Sequence, residues 1–280
     1  KIFRTPFFVT LRGTHDIRHA GYLLRKPQIQ MALKGANEVI CVSESLKKFA
    51  QDLGVARERL RVIPNGIDEN EFFPGDRLEA RQKLRLPADA TILLSVGAFI
   101  EGKGHLRLIE ILPELLEKFP RLLLVALGDQ SVDPYYFNLV KELIRRKNIE
   151  QKVLLVPVQD HAKIRLWMNA ANLFCLATRS EGRCNAILEA LACGLPVVTT
   201  DVGGNCELME DGSDGVLVSF WDAKAFSAAL CRGLTEVWNC QAISQRARRV
   251  TWEQTTREII AEFERVVKPV VPDEVRPEAI

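Results

Sequence analysis

Ser180-Glu181-Gly182-Arg183-Cys184-Asn185-Ala186-Ile187-Leu188-Glu189-Ala190-Leu191-Ala192-Cys193-Gly194-Leu195-Pro196-Val197-Val198 is the stretch from which the fold of this chain is read. Asn185 to Ala192 is rich in strong helix formers. Ser180 or Asn185 is placed to cap the start of that helix. Gly194 suits the position just past its last turn, and Pro196 keeps it from running on. Apolar runs flank it, Leu173–Thr178 before and Pro196–Asp201 after, so the unit reads strand–helix–strand. In such α/β units ligands bind at the carboxyl ends of the strands, facing helix N-termini. Glu181 falls at that end and Glu189 lies about two turns further on. These residues point to a binding site.

The same alternation extends outward on both sides. From Ala88 onward, TILLSVGAF, RLLLVALGD, KVLLVPV, LFCLAT, PVVTTD and GVLVSF are six near-continuous apolar runs. Strands buried on both faces of a parallel sheet read in this way. Helical stretches lie between them, around Leu106–Phe119, Tyr136–Lys147, Ala162–Ala171 and Ala186–Cys193. After Phe220 the pattern is helical over Ala223–Leu234, Gln241–Val250 and Glu253–Val267. The expected fold is α/β, a doubly wound parallel sheet of Rossmann-like type.

Upstream, Phe7–Leu11 reads as a buried strand with Arg12-Gly13-Thr14 as its exit loop. A helix is expected over Pro27–Gly35 and a strand over Val39–Val42. Ser43 with Ser45 can cap a helix Leu46–Leu53, which Gly54 stops. Val62-Ile63 is a last short strand, turned by Pro64-Asn65-Gly66. About three strands precede this turn, so a partial Rossmann-like domain is expected over 1–74 and a complete one over 75–250. Residues 251–268 are expected to form a helix returning to the first domain, and 269–280, rich in Pro and charge, a flexible tail. The first strand enters without the units that should flank it, so the 280 residues are expected to be a fragment lacking the start of the N-terminal domain.

Glu181-Gly182-Arg183-Cys184-Asn185-Ala186-Ile187-Leu188-Glu189, with the Gly-Leu-Pro-Val-Val turn and Gly203-Gly204 after it, resembles the Glu-x7-Glu signature of the family-4 retaining glycosyltransferases of GT-B fold. The resemblance is to members that build bacterial polysaccharides and lipid glycans. It covers Phe7 to about Val267, and VIPNGID…F is similar to that family's crossover between halves, near Phe72–Asp76. It implies that Glu181 contacts the donor sugar near the reacting carbon and that Glu189 binds the nucleotide ribose. Backbone amides from Gly182, Arg183, Cys184, Asn185 and Ala186 would hold sugar and phosphate. Gly97 and Lys103 match the segment after the first strand whose lysine grips the donor diphosphate, which makes Lys103 a catalytic candidate beside Glu181. Relatives often carry an arginine where this chain has Ala98, so the second cation on the diphosphate is missing or supplied elsewhere. Arg12 stands where many relatives place a histidine beside the sugar, and Gly13 and His15 would share that acceptor side.

The implied reaction moves a hexose-type sugar from a UDP- or GDP-sugar to a hydroxyl of a glycan or lipid-linked acceptor, with no metal and no further cofactor. Two rival readings stand beside it. One is a non-catalytic nucleotide-sugar-binding module. The other is a P-loop protein, since Gly97–Gly104 comes within one residue of a Walker A loop; Gly104 lacks the hydroxyl that motif needs for magnesium. Gly203-Gly204 permits close backbone approach or is a plain turn, and Glu207 fits the family's Gly-Gly-x-x-Glu pattern or caps the next helix. Gly128-Asp129 ends the second strand, where relatives often show a Gly-x-Gly turn; here Gln130-Ser131 follows.

Composition narrows the field. A hydrophobic content of 47% with 26% charged residues describes a globular chain, and a net charge of +2 gives no reason to expect nucleic-acid binding. No apolar run reaches the eighteen or so residues of a spanning helix. Seven Cys, an odd number without a Cys-x-x-Cys pair, and four His argue against a disulfide framework and a zinc site. A reduced, cytoplasmic chain is expected. The basic run between Arg12 and Lys34 reads as a solvated face or as a surface for anionic lipid at the inner side of a membrane.

Overall fold

A computed structural model of the chain describes residues 5–13, 25–220 and 222–267. His15 and the expected tail lie outside these residues. Two parallel sheets organise the rest. The first has three strands, β1 (Phe8–Leu11), β2 (Glu38–Cys41) and β3 (Leu60–Val62), in the order β1-β2-β3. Helices α1 (Lys26–Gly35) and α2 (Glu44–Asp52) pack on it through Leu33, Leu46 and Ala50 against Val39 and Cys41. Ser43 starts α2, its Oγ accepting the Leu46 amide at 3.2 Å.

The sequence analysis leaves residues 75–88 without an element, and the structure places α3 (Arg77–Leu84) there. Asp76 caps it, accepting the Glu79 amide at 2.8 Å; Asp-x-x-Glu is a capping-box spacing. From α3 the buried Arg81 reaches Ala170 O at 2.9 Å, Ala88 O at 2.7 Å and Asn172 Oδ1 at 2.7 Å. One guanidinium thus ties the helix to two chain segments that border the second sheet.

That sheet has six strands: β4 (Thr91–Val96), β5 (Leu122–Leu127), β6 (Val153–Val156), β7 (Leu173–Leu176), β8 (Val197–Thr200) and β9 (Gly215–Val218). They coincide with the six apolar runs, and every pairing is parallel. Successive residues of a strand face opposite sides. Ile92, Leu94, Val125 and Leu127 enter one core, shared with α6 (His161–Ala170) and α7 (Asn185–Ala192). Leu93, Leu124 and Ala126 enter the other, with α4 (His105–Lys118), α5 (Pro134–Arg146) and α8 (Ala223–Thr235). The expected α/β doubly wound sheet is the observed one.

The strand order is β6-β5-β4-β7-β8-β9. The chain starts at β4, grows outward through β5 and β6, then returns to the far side of β4 and continues as β7. The connections leaving β4 and β7 therefore diverge, which opens a crevice at their carboxyl ends. This topology positions the site.

Two further helices close the described chain. α9 (Cys240–Ala247) packs beside α7, with Ser244 Oγ donating to Ala192 O at 2.7 Å. α10 (Trp252–Val266) lies against the first sheet: Thr255 Oγ1 donates to Pro64 O at 3.0 Å, the Phe8 and Phe263 rings are 4.4 Å apart, and Arg61 reaches Glu262 at 3.3 Å. Buried Glu38 pairs with Arg61 and Arg265. No helix of the described residues is long and apolar enough to cross a membrane.

Candidate active site

Beyond β4 the chain passes Gly97, makes a short 3-10 turn at Glu101–Lys103 and enters α4 through Gly104. Gly104 has φ +80°, and a Cβ there would lie 2.0 Å from Ala177 O. The departure from a Walker loop thus has a steric reason: the backbone presses on the end of β7 and leaves no room for a side chain. The aliphatic stem of Lys103 folds back over Gly97, whose absent Cβ would meet it at 3.2 Å. Its Nζ then lies 2.6 Å from Glu181 Oε1. Thr178 Oγ1 stands 3.0 Å from the same carboxylate oxygen and 2.9 Å from Gly102 O, so one hydroxyl binds both strand-end loops.

Burial is the largest influence on Lys103 and works to lower its pKa. The Glu181 carboxylate and its hydrogen bond favour the charged form, the net shift is upward from the usual lysine value, and the ammonium is kept charged. Glu181 is only 7% exposed. Its loop is held by close backbone approaches: a Cβ on Gly203, which has φ +58°, would lie 1.7 Å from Glu181 O, and one on Gly182 would lie 2.5 Å from Arg12 O. Arg12 and Gly13 of the first half are therefore brought directly onto the Glu181–Gly182 segment.

The start of α7 corrects an expectation. Neither Ser180 nor Asn185 caps it. Cys184 occupies the capping position and no side chain serves as cap. Asn185 is already the first helical residue, and its Oδ1 accepts from Asn65 Nδ2 at 2.9 Å, joining α7 to the turn after β3. The positive end of α7 thus sits beside Lys103 without a capping carboxylate or hydroxyl. Burial pushes the Cys184 thiol up to about 12, which leaves it neutral. Ala186 is partly buried and packs against the core.

Glu189 lies further along α7. It lines a cavity of about 230 Å³ bounded by Gly66, Ile67, Phe72, His161, Leu188 and Trp252 among others, and Glu181 is not among the lining residues. Glu189 Oε1 is 3.4 Å from His161 Nε2, and His161 Nδ1 is 3.0 Å from Glu71 Oε1. Burial lowers the His161 pKa and is its largest single influence, but Glu189 and Glu71 outweigh it and the net shift is upward. Burial chiefly raises the pKa of Glu189. His161 and Glu71 escape the sequence analysis. The signal for His161 was present, since it opens a helix just past the carboxyl end of β6, the kind of position that also selects Lys103 and Glu181.

Glu207 does not cap a helix of its own half. Its carboxylate crosses to α2 and accepts the amides of Glu44 at 3.0 Å and Ser45 at 3.2 Å. With Ser43 serving Leu46, the first three amides of α2 are satisfied, two of them from the other half of the molecule. Gly128 packs on Gly97, and Asp129 O accepts the Phe99 amide at 2.9 Å, so the ends of β4 and β5 are closed against each other.

The family model for glycosyl transferases group 1 matches residues 76–250, and that for glycosyltransferase family 4 matches residues 2–71. The chain is 32% identical over 217 residues to the D-inositol 3-phosphate glycosyltransferase of Actinosynnema mirum, covering 73% of this chain and 51% of that protein. It is 30% identical over 222 residues to the protein of that name from Mycobacterium bovis, covering 76% and 45%. The chain spans about half the length of the curated relatives it matches. Among solved structures it resembles Anabaena HepE in complex with UDP and glucose, with a TM-score of 0.82 at 22% identity over 93% of this chain and 72% of that one. It also resembles the sucrose-phosphate synthase of Thermosynechococcus elongatus, with a TM-score of 0.81 at 24% identity over 94% and 68%. At these identities the likeness is one of fold, the GT-B arrangement of two Rossmann-like halves.

Proposed function

The chain belongs to the group 1 glycosyl transferases, and on that premise we propose that it transfers a hexose-type sugar from a UDP- or GDP-sugar to an acceptor hydroxyl, with retention and without a metal. The observation that carries this reading is the Lys103–Glu181 pair, 2.6 Å apart at the crevice between β4 and β7. Lys103 and the N-terminus of α7 take the charge of the leaving diphosphate. Glu181 faces the sugar, and Glu189, a turn or two along α7, holds the ribose diol. The acceptor oxygen attacks the anomeric carbon on the face from which the diphosphate departs. The carbon–oxygen bond to the diphosphate breaks, and a phosphate oxygen takes the acceptor proton.

UDP in the HepE complex supports a uridine donor. The acceptor is a hydroxyl of a glycan or lipid-linked glycan, and the relatives' names add a polyol phosphate to that class. Seven free cysteines suit a reducing cytoplasm, with attachment to the inner membrane face as an added feature. Ala98, which supplies no cation, favours one other reading, a module that binds nucleotide sugar without turning it over.

Thermal melts with UDP-, GDP-, ADP- and TDP-sugars in the presence of a chelator test the proposal. A ligand at about a hundred times its Kd stabilises by about 2.7 kcal/mol. A rise with UDP- or GDP-sugar that survives the chelator is expected. No rise with either would overturn the donor assignment, and slow donor hydrolysis would exclude the non-catalytic module.

A further inference from the structure

Arginines drawn into this fold come with partners. Arg81 has three acceptors, Arg61 reaches Glu38 at 3.2 Å, Arg107 Nε donates to Ala177 O at 3.0 Å, and Arg246 Nε donates to Asp214 at 2.9 Å. Arg183 stands apart. It is half-buried, its Nε is closed off from solvent without an acceptor, and among the described residues no hydrogen bond or ion pair within 4 Å reaches it. Burial lowers its pKa, and the carboxylate whose field opposes that is Glu207. Glu207 is already engaged by the two α2 amides. A guanidinium held partly dry and unpaired costs free energy, because it gives up water and gains nothing in return.

Its place explains what it is for. Arg183 lies between Glu181 and the uncapped start of α7, on the loop that touches the Arg12–Gly13 backbone. Lys103 is matched one for one by Glu181, and Ala98 contributes no charge. The loop that opens α7 therefore carries a guanidinium with no hydrogen-bond or ion-pair partner among the described residues and only the field of Glu207 against it. The planar fork of five donors fits phosphate oxygens two at a time.

We propose that Arg183 seats a phosphate group in the cleft, supplied by the donor diphosphate or by a phosphorylated acceptor. The location of the cleft rests on the nucleotide-sugar reading above; the anion preference of Arg183 does not. The purified chain and its R183Q and R183K variants are titrated calorimetrically with uridine, UDP, inorganic phosphate, inositol and an inositol phosphate, the last two also with UDP present.

If the seat is for the donor, R183Q loses at least tenfold in UDP affinity while uridine is unchanged, and R183K loses less. If it is for the acceptor, UDP is unchanged and the inositol phosphate loses at least tenfold relative to inositol. Phosphate binding that depends on Arg183 in a parent that binds no nucleotide would support the seat and sink the nucleotide-sugar reading. Unchanged affinities in R183Q, or equal losses for uridine and UDP, overturn the seat, as does a parent that binds neither phosphate nor nucleotide. Stability gives an independent readout. Since Arg183 has no partner among the described residues, R183Q should melt at the same temperature or higher, and a clear drop would show a structural role instead.

Discussion

Lys103 and Glu181 stand seventy-eight residues apart in sequence, yet Lys103 Nζ lies 2.6 Å from Glu181 Oε1. The contact exists because β4 and β7 are neighbours in the sheet although β5, β6 and three helices separate them along the chain. On the proposed reading, a donor diphosphate would compete with Glu181 for the ammonium.

Removing one member of this pair should be worse than removing both. Lys103→Met leaves a carboxylate with a side chain only 9% exposed and no cation, a loss of about 3 kcal/mol. Adding Glu181→Gln should restore much of that, because an amide in the same place carries no charge to strand. Chemical denaturation of the two single variants and the double variant measures the coupling. Additive losses would show that the two side chains are independent.

The two carboxylates should divide their work along the donor. Glu189→Gln is expected to weaken binding of uridine and UDP alike, by about 1.5–3 kcal/mol for a charge-assisted hydrogen bond lost. Glu181→Gln should leave uridine binding unchanged. Calorimetry with both ligands decides, and equal losses of uridine affinity in the two variants would remove the distinction.

The bridge from Glu71 through His161 to Glu189 should respond to pH. A neutral imidazole has one N–H, so both carboxylates are hydrogen-bonded only by the imidazolium. The pKa of His161 is raised in the fold. Its contribution is therefore complete below the unfolded value of about 6.5 and disappears as pH climbs through the higher folded value. At the acid end it disappears again once Glu189, whose pKa is also raised, takes up a proton. The stability gap between the parent and His161→Gln should be widest near pH 6 and close towards pH 9, by about 1 kcal/mol or less, since the His161 side chain is 62% exposed. A gap that does not change between those two pH values would show that His161 does not bridge as a cation.

His105 should act in the opposite sense. It is 1% exposed, stacks on Phe99 at 4.4 Å, and neither ring nitrogen has a partner. Burial, with Lys103 and Arg107 adding to it, lowers its pKa to about 4. The unfolded chain takes up a proton near pH 6.5 and the folded chain does not, so stability drains away between about pH 6.5 and pH 4, by up to about 3 kcal/mol. His105→Phe keeps the stacked ring and removes the proton site. Its melting temperature should fall less steeply on acidification than the parent's, and parallel curves would refute the assignment.

Gly203→Ala should disturb Glu181 without touching its side chain. The new Cβ would fall 1.7 Å from Glu181 O at a residue with φ +58°, so the backbone must move. A loss of about 2–4 kcal/mol together with weaker UDP binding is expected. Normal UDP affinity in a folded variant would show that the loop tolerates displacement.

The strands were legible because each of the six runs of the second sheet is near-continuously apolar, whereas the strand order is seen only in the structure. Lys103 and Glu181 were legible for a related reason, since both follow strands in α/β units. What escaped depends on distance along the chain. His161 gains its role from Glu71, 90 residues away, and from Glu189, 28 away. Glu207 was visible as part of a pattern, but its partners are amides some 160 residues upstream, and backbone amides carry no mark in a sequence. The start of α7 was misassigned because Asn185 is a good capping residue by composition; the contact with Asn65 takes its side chain elsewhere. The short helix Arg77–Leu84 was announced by Asp76 and Glu79 and lacked only an apolar stripe.

The carboxylate of Glu207 has a consequence for motion. Helices in one body ordinarily begin with a residue of that same body, so that the two rise and fall together. Here the first turn of α2 is completed by a side chain rooted beyond β8, in the other half of the molecule. Spreading the halves by a few ångströms would break both bonds at once and leave two backbone donors to water. A molecule opened in this way would also carry a frayed α2, so that parting the halves and loosening that helix would be one event.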